Sequence, residues 1–159
     1  MIDPESLPYR ACAGVMLFNR AGLVFVGRRI DATQEVWQLP QGGIDEGEAP
    51  LEAAKRELAE ETGIREAVLL AEARDWLSYD LPGELVGKVW KGRYRGQRQK
   101  WFAMRFDGAD VEVNLETDHP EFDAWRWTPI DDLVSETIAF KRTVYQAVVK
   151  EFHGFARLA

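Results

Sequence analysis

The sequence has one cysteine, Cys12, two histidines, and no apolar run near the roughly 20 residues that span a bilayer. A lone cysteine excludes an internal disulfide, and its apolar surroundings predict a buried thiol in a reducing setting. The first ten residues, MIDPESLPYR, contain neither an apolar signal core nor a basic leader. We therefore expect a soluble, cytoplasmic protein. His119 and His153 have no second ligand at metal-binding spacing, so we expect surface or capping roles for them.

Positive charge is also in deficit, because 20 Lys and Arg stand against 27 Asp and Glu and leave a net charge of -7. This balance argues against binding along an extended nucleic-acid backbone, which depends on neutralising many phosphates. Any phosphate site must therefore be local. The length of 159 residues and a hydrophobic content of 46% predict one domain, residues 1–159, with a single core.

A helix is predicted from Pro50 to Thr62. Proline is favoured at the first helical position, and Gly63 stands where a left-handed cap would end the helix. An apolar stripe for packing on a core recurs at helical spacing, at Leu51, Ala54 and Leu58.

Three carboxylates lie on an adjacent face of this helix, at Glu57, Glu60 and Glu61. Like charges at this spacing repel each other, at a cost of about 0.2–0.5 kcal/mol per pair. A hard cation such as magnesium would turn that repulsion into binding energy. The alternative is a solvated acidic face, which is what a charge run usually means.

The whole segment resembles the Nudix box. The matching positions are Gly42, Glu48, Arg56, Glu57, Leu58, Glu60, Glu61, Gly63 and Ile64. The resemblance implies a hydrolase of nucleoside diphosphates linked to a further group, with a divalent metal held by this helix. It also implies the α/β class and the Nudix fold, an α/β/α sandwich with a mixed β-sheet.

Two apolar runs, residues 11–18 and 23–28, flank a short glycine-containing turn and predict a β-hairpin. Arg28 and Arg29 end the second run. Arginine there could meet phosphate oxygens, or it could protect a sheet edge from aggregation, and the spacing alone favours the second role.

A flexible basic loop is predicted from Gly83 to Lys100. Six cations, four glycines and the aromatics Trp90 and Tyr94 stand there against one acid, Glu84. Such a segment suits a polyphosphate that carries bases, through charge and stacking. An ordinary solvated loop is the alternative.

The remaining pattern interleaves strands and helices. An extended piece at 36–40 feeds a turn at 41–43, and further strands are predicted at 67–74, 75–82, 100–106 and 122–127. A short helix begins near Ile130. Apolar residues at helical spacing predict a terminal helix from Arg142 to Phe152.

The resemblance extends beyond the box. The segments are WQLPQGGIDEGE (37–48), RDWLSYDLP (74–82), GQRQKWF (96–102), PEFDAWRW (120–127) and FKRTVY (140–145). They resemble the bacterial RNA pyrophosphohydrolases and the related asymmetrical dinucleoside polyphosphate hydrolases, also called the invasion-associated type. Nearly the full chain is covered.

The resemblance implies site residues position by position. It places magnesium or manganese on Glu57, Glu60, Glu61 and Glu121. It makes Arg56 and Glu48 an ion pair that supports the site, together with Gly42 and Gly63. It assigns phosphates to Arg28 and Lys141, and the region of a base to Tyr79, Gln97 and Phe140. Arg29 keeps its structural interpretation.

The implied chemistry is hydrolysis at phosphorus. Metal neutralises the polyphosphate, and an activated water attacks in line with the leaving phosphate. The proton acceptor is Glu57, Glu61 or Glu121, and the sequence does not choose among them. The expected substrates are 5′-triphosphorylated RNA, a link to mRNA decay, and dinucleoside polyphosphates such as diadenosine tetraphosphate. A housekeeping hydrolase of free or oxidised nucleotides, or a non-catalytic nucleotide-binding regulator, are the alternatives.

Overall fold

The computed structural model describes residues 3–32, 35–118 and 120–157. The strands are β1 (Tyr9–Phe18), β2 (Val24–Arg29), β3 (Trp37–Gln38), β4 (Gln41–Gly43), β5 (Val68–Glu72), β6 (Leu77–Asp80), β7 (Gly96–Arg105) and β8 (Phe122–Thr128). The helices are α1 (Pro50–Thr62), α2 (Leu133–Glu136) and α3 (Arg142–Phe152). Within these residues, no helix combines the length and the apolar character needed to cross a membrane.

The eight strands form one mixed sheet around β1 and β7. These two long strands run parallel, with a register that extends from Tyr9 opposite Gly96 to Phe18 opposite Arg105. Every other pairing is antiparallel: β2 and β4 flank β1, β5 and β6 pair with β7, and β3 and β8 pair with β2. The predicted mixed sheet is confirmed.

Side chains alternate across the central strands and divide the core into two layers. Val15 and Leu17 of β1 pack toward α1, with Ala54 and Leu58 of that helix. Alternate residues of the same strand pack on the opposite face in a cluster with α2 and α3, which includes Met16, Leu133, Tyr145, Val148 and Phe152. The sheet therefore lies between helices on both faces, which confirms the predicted α/β/α sandwich.

The predicted bounds of α1 and α3 are confirmed. Pro50 occupies the start of α1, and Gly63 ends it with φ of 76°, a left-handed conformation that favours glycine. The hairpin between β1 and β2 is also confirmed, because Asn19 Oδ1 accepts hydrogen bonds from the backbone N–H groups of Ala21 and Leu23, each 3.0 Å long.

Several predicted boundaries differ from the structure, among them that of β1, which begins at Tyr9 and not at Ala11. Residues 41–43, predicted as a turn, form β4 and pair with β1. The predicted loop from Gly83 to Lys100 ends earlier, because β7 begins at Gly96 and already includes the buried Gln97 and Gln99. The polar composition of 96–100 is typical of a loop, but β1 offers it a complete row of backbone hydrogen-bond partners, and that tertiary pairing decides.

Candidate active site

A cavity of about 280 Å³ lies where α1, β4, β6 and β7 meet the residues before β8 and α3. It brings together eight of the predicted site residues, Gly42, Glu57, Glu61, Tyr79, Gln97, Glu121, Phe140 and Lys141. These come from distant parts of the sequence, so the fold assembles an acidic helix, an aromatic patch and a buried cation around one space.

The predicted ion pair between Arg56 and Glu48 is present. Arg56 Nε donates to Glu48 Oε2 at 2.8 Å and Nη2 donates to Oε1 at 2.9 Å, so the contact is two-pronged. The Arg56 hydrogen bonds lower the pKa of Glu48 to about 2, with help from the backbone N–H of Asp45. Arg56 Nη2 also donates to the Gly43 carbonyl at 2.8 Å. The guanidinium thus ties the loop before α1 to the helix that carries the glutamates.

Gly42 lies against the Glu57 carboxyl group. A Cβ atom at position 42 would clash with that carboxyl, so the close approach of β4 to α1 requires glycine here. Arg56 Nη1 donates to Glu57 Oε1 at 2.9 Å from the other side. Burial raises the pKa of Glu57 while the neighbouring arginine opposes the shift.

Glu61 is buried, with 5% of its surface exposed, and its Oε2 atom has no hydrogen-bond partner among the described residues. Burial, followed by the charges of Glu57 and Glu121, raises the pKa of Glu61 well above its ordinary value. A buried carboxylate with negative neighbours and a free lone pair is costly unless a cation compensates it. The donor set is oxygen-only, which is the preference of magnesium and manganese. The charge and the oxygen donors of these residues fit a divalent cation.

Glu60 does not line the cavity, although it shares the Arg56 Nη1 atom with Glu57. It is exposed and contacts Arg56 Nη1 through Oε2 at 3.2 Å. In the part of the chain that the structure describes, no group of three or more His, Cys, Asp and Glu side chains is gathered closely enough to hold a metal ion. Glu57, Glu61 and Glu121 share the cavity wall, whereas the role of Glu60 as a ligand stays a prediction.

Lys141 supplies the buried positive charge of the cavity. Only 7% of its surface is exposed, and burial, reinforced by the charge of Arg29, lowers its pKa to about 8. Its Nζ atom lies 5.9 Å from the ring centroid of Tyr79, which in turn contacts Phe140 at a centroid distance of 5.4 Å. A cation beside two aromatic rings suits a phosphate next to a base.

The structure places Arg29, not Arg28, on the cavity wall. Arg28 Nε donates to Asp123 at 2.8 Å. Arg29 Nη2 lies 3.9 Å from Glu121 Oε2 and 2.7 Å from Asp31 Oδ2. The two consecutive arginines of β2 point to opposite faces of the sheet, and the register shift beside them falls in β8, where Asp123 is the extra residue.

Arg10 and Gln41 are among the lining residues that the sequence analysis missed, whereas Trp90 belongs to the loop for which stacking on a base was predicted. Arg10 could have been predicted as a site residue from strand alternation, but the predicted β1 began at Ala11 and so left Arg10 out. Gln41 Oε1 is buried and has no partner among the described residues, so it offers an acceptor at the cavity. His119 lies outside the described residues, and His153 contacts Asp131 at 2.9 Å, away from the cavity.

A mixed sheet between helices, with a glutamate-bearing helix and the buried Lys141 beside one cavity, is the arrangement expected of a hydrolase of phosphoanhydrides. The chain belongs to the Nudix family, because the NUDIX domain model matches residues 8–148. It is a Nudix hydrolase, a member of a family that generally uses divalent metal ions.

Two similar proteins are both named RNA pyrophosphohydrolase. The chain is 59% identical over 155 residues to that of Rhodospirillum rubrum, which covers 98% of this chain and 93% of that protein. It is 57% identical over 153 residues to that of Cereibacter sphaeroides, which covers 95% of this chain and 94% of that protein. Among solved structures, an Ap4A hydrolase from C. elegans matches with a TM-score of 0.66 at 20% identity, over 91% of this chain and 98% of that one. That structural likeness shows the shared fold.

Proposed function

We propose that this Nudix hydrolase removes pyrophosphate from 5′-triphosphorylated RNA ends, cleaves dinucleoside polyphosphates such as diadenosine tetraphosphate asymmetrically, or does both. The observation that carries the proposal is that one cavity is lined both by the buried carboxylate of Glu61 and by the buried ammonium of Lys141. Two similar proteins named RNA pyrophosphohydrolase support the RNA substrate. Both substrates present a polyphosphate and a nearby base to the same groups.

Glu57, Glu61 and Glu121 would hold magnesium, or manganese in its place, and Glu60 is a further proposed ligand. When bound, the cation supplies charge neutralisation for the polyphosphate and lowers the pKa of water. Arg29 and Lys141 then bind phosphate oxygens from the cavity wall, with charge-assisted hydrogen bonds. One of the three cavity glutamates takes the proton from the attacking water.

The base or terminal nucleotide lies in this proposal beside Tyr79, Gln97 and Phe140. Gln97 is buried, and its Oε1 accepts a hydrogen bond of 2.7 Å from Gln99 Nε2, which fixes the amide in one orientation. A fixed amide next to aromatic rings can read a polar base edge while the rings stack on its face.

The biological setting follows from this substrate. Removal of pyrophosphate from RNA ends would start mRNA decay, and the buried thiol of Cys12 fits the reducing cytoplasm. The described residues surround one sheet, which supports a single domain over residues 1–159.

The deciding experiment is a side-by-side measurement of kcat/KM, with magnesium, on triphosphorylated RNA, diadenosine tetraphosphate and free GTP, with products identified by mass. We expect pyrophosphate from RNA, or ATP and AMP from diadenosine tetraphosphate. A strong preference for free GTP would contradict the proposal and favour a housekeeping nucleotide hydrolase.

A further inference from the structure

The loop of residues 81–95, between β6 and β7, forms part of the cavity wall. A hydrogen bond of 2.8 Å from the Leu81 N–H to the Arg95 carbonyl closes its base. Its side chains Leu85, Val89 and Trp90 pack against the core and also line the cavity. The loop is therefore joined to the site and is not a separate surface feature.

The backbone at Trp90 and Lys91 takes the left-handed conformation, with φ of 49° and 58°. Residues other than glycine rarely adopt this backbone conformation. Such strained conformations persist only where the surrounding structure enforces them, often at functional sites. The Trp90 ring is held by Arg10, whose Cζ atom is 5.8 Å from the ring centroid, and by Tyr94, whose ring centroid is 6.2 Å away. This turn places Trp90 at the cavity and leaves Lys91 exposed beside it.

Three cations of this loop, Lys88, Lys91 and Arg93, are exposed and form no ion pair among residues 3–32, 35–118 and 120–157. Two nearby cations differ from them. Arg95 pairs with Asp80 at 3.1 Å, and the buried Lys100 pairs with Glu72 at 3.3 Å. In a chain of net charge -7, a run of unpaired cations next to the cavity is an attractive patch for a polyanion.

We propose that Lys88, Lys91 and Arg93 bind backbone phosphates of an unpaired RNA strand downstream of its 5′ end, while that end occupies the cavity. This inference rests on the proposed function and extends it. A dinucleoside polyphosphate ends at its second nucleoside and brings no further phosphate to the loop. The loop therefore selects RNA ends over dinucleoside polyphosphates. Because only three cations take part, the contact covers few phosphates, which is compatible with the net negative charge of the protein.

The test combines Lys88→Gln, Lys91→Gln and Arg93→Gln in one protein. Its kcat/KM is compared with that of the unchanged protein on a triphosphorylated RNA octamer, a triphosphorylated dinucleotide and diadenosine tetraphosphate. We expect an approximately tenfold loss on the octamer at low salt and little change on the two short substrates, because counterion release needs the extra phosphates. The slope of log kcat/KM against log salt for the octamer should become shallower by about 2, because each of the three lost phosphate contacts contributes about 0.7 to that slope.

The matched control removes the same charge elsewhere, with Lys55→Gln, Arg65→Gln and Lys150→Gln, three exposed cations outside the cavity wall. An equal loss in both triple variants, an equal loss on all three substrates, or no loss on the octamer overturns the inference. Failure of the proposed function looks different, since the unchanged protein would then cleave none of the three substrates. If the unchanged protein cleaves diadenosine tetraphosphate alone, the loop inference falls and the hydrolase proposal stands.

Discussion

Arg56 and Glu48 are joined by two parallel hydrogen bonds of 2.8 and 2.9 Å across the start of α1. A lysine at position 56 keeps the charge but loses the fork, the contact with the Gly43 carbonyl included. For Arg56→Lys we expect a loss of about 1–3 kcal/mol in the free energy of unfolding, measured with urea. We also expect lower kcat/KM, because α1 would be held less firmly.

A matched control exists on the surface, where Arg105 makes a similar fork to Asp107 with bonds of 2.8 and 3.2 Å. Exposed pairs contribute little, so Arg105→Lys should leave the free energy of unfolding nearly unchanged. Equal losses in the two variants would show that the Arg56 fork is no more than a surface pair.

We expect the buried Glu61 carboxylate to destabilise the folded protein without metal and to bind the metal when it is present. Glu61→Gln removes a buried, uncompensated charge, so its melting temperature without metal should equal or exceed that of the unchanged protein. Added magnesium should raise the melting temperature of the unchanged protein and not that of the variant, because a ligand stabilises only what it binds.

Activity with magnesium should be lost in the same variant. Glu116→Gln, at an exposed position, serves as the control and should behave like the unchanged protein. Full magnesium-dependent turnover by Glu61→Gln on RNA and on diadenosine tetraphosphate would rule out the metal role.

Substitutions of the two neighbouring arginines should have different effects on kcat/KM. Arg29 lines the cavity and Arg28 pairs with Asp123 outside it. We expect Arg29→Gln to lower kcat/KM by at least about tenfold, the equivalent of one charged hydrogen bond. Arg28→Gln should change it by less than about threefold. The reverse order would restore the phosphate role that the resemblance assigned to Arg28.

Lys141 should give the substrate affinity a pH dependence. Its pKa of about 8 lies below the ordinary 10.5, so its positive charge disappears as pH rises through about 8. We expect KM to rise across that range, and we expect Lys141→Gln to show a high KM at every pH. A parallel pH profile in the variant would contradict this assignment.

The same group affects stability with the opposite sign. Between pH 8 and 10.5 the unfolded chain binds a proton at Lys141 that the folded protein lacks. The free energy of unfolding should therefore gain from this residue as pH rises through the window. Urea titrations at several pH values should show that the free energy of unfolding rises more steeply with pH in the unchanged protein than in Lys141→Gln.

Tyr145 holds the segment that leads into the cavity. Its hydroxyl accepts a buried hydrogen bond of 2.9 Å from the Leu39 N–H. Tyr145→Phe leaves that N–H unsatisfied and should cost about 1–3 kcal/mol in the free energy of unfolding. Tyr94→Phe, at a partly exposed ring, is the control and should be nearly neutral.

Local sequence is enough to predict those elements whose ends are set by local chemistry. Pro50 and Gly63 are sufficient to delimit α1, because one fixes φ at a helix start and the other allows the left-handed cap. The arginine and the glutamates of the box could also be predicted from the sequence, because their spacing along one helix does not depend on the rest of the fold.

Features that depend on neighbouring strands follow from the fold and not from the local sequence. Arg29 and not Arg28 lines the cavity, because only the packing of the helices and strands decides which face of β2 borders that space. Pairing with β1 extends β7 back to Gly96. The packing of α1 on the sheet buries Glu61 and leaves Glu60 exposed beside Arg56. Burial then separates three carboxylates that the helical period alone presents as equals, because the cost of a charge depends on its surroundings.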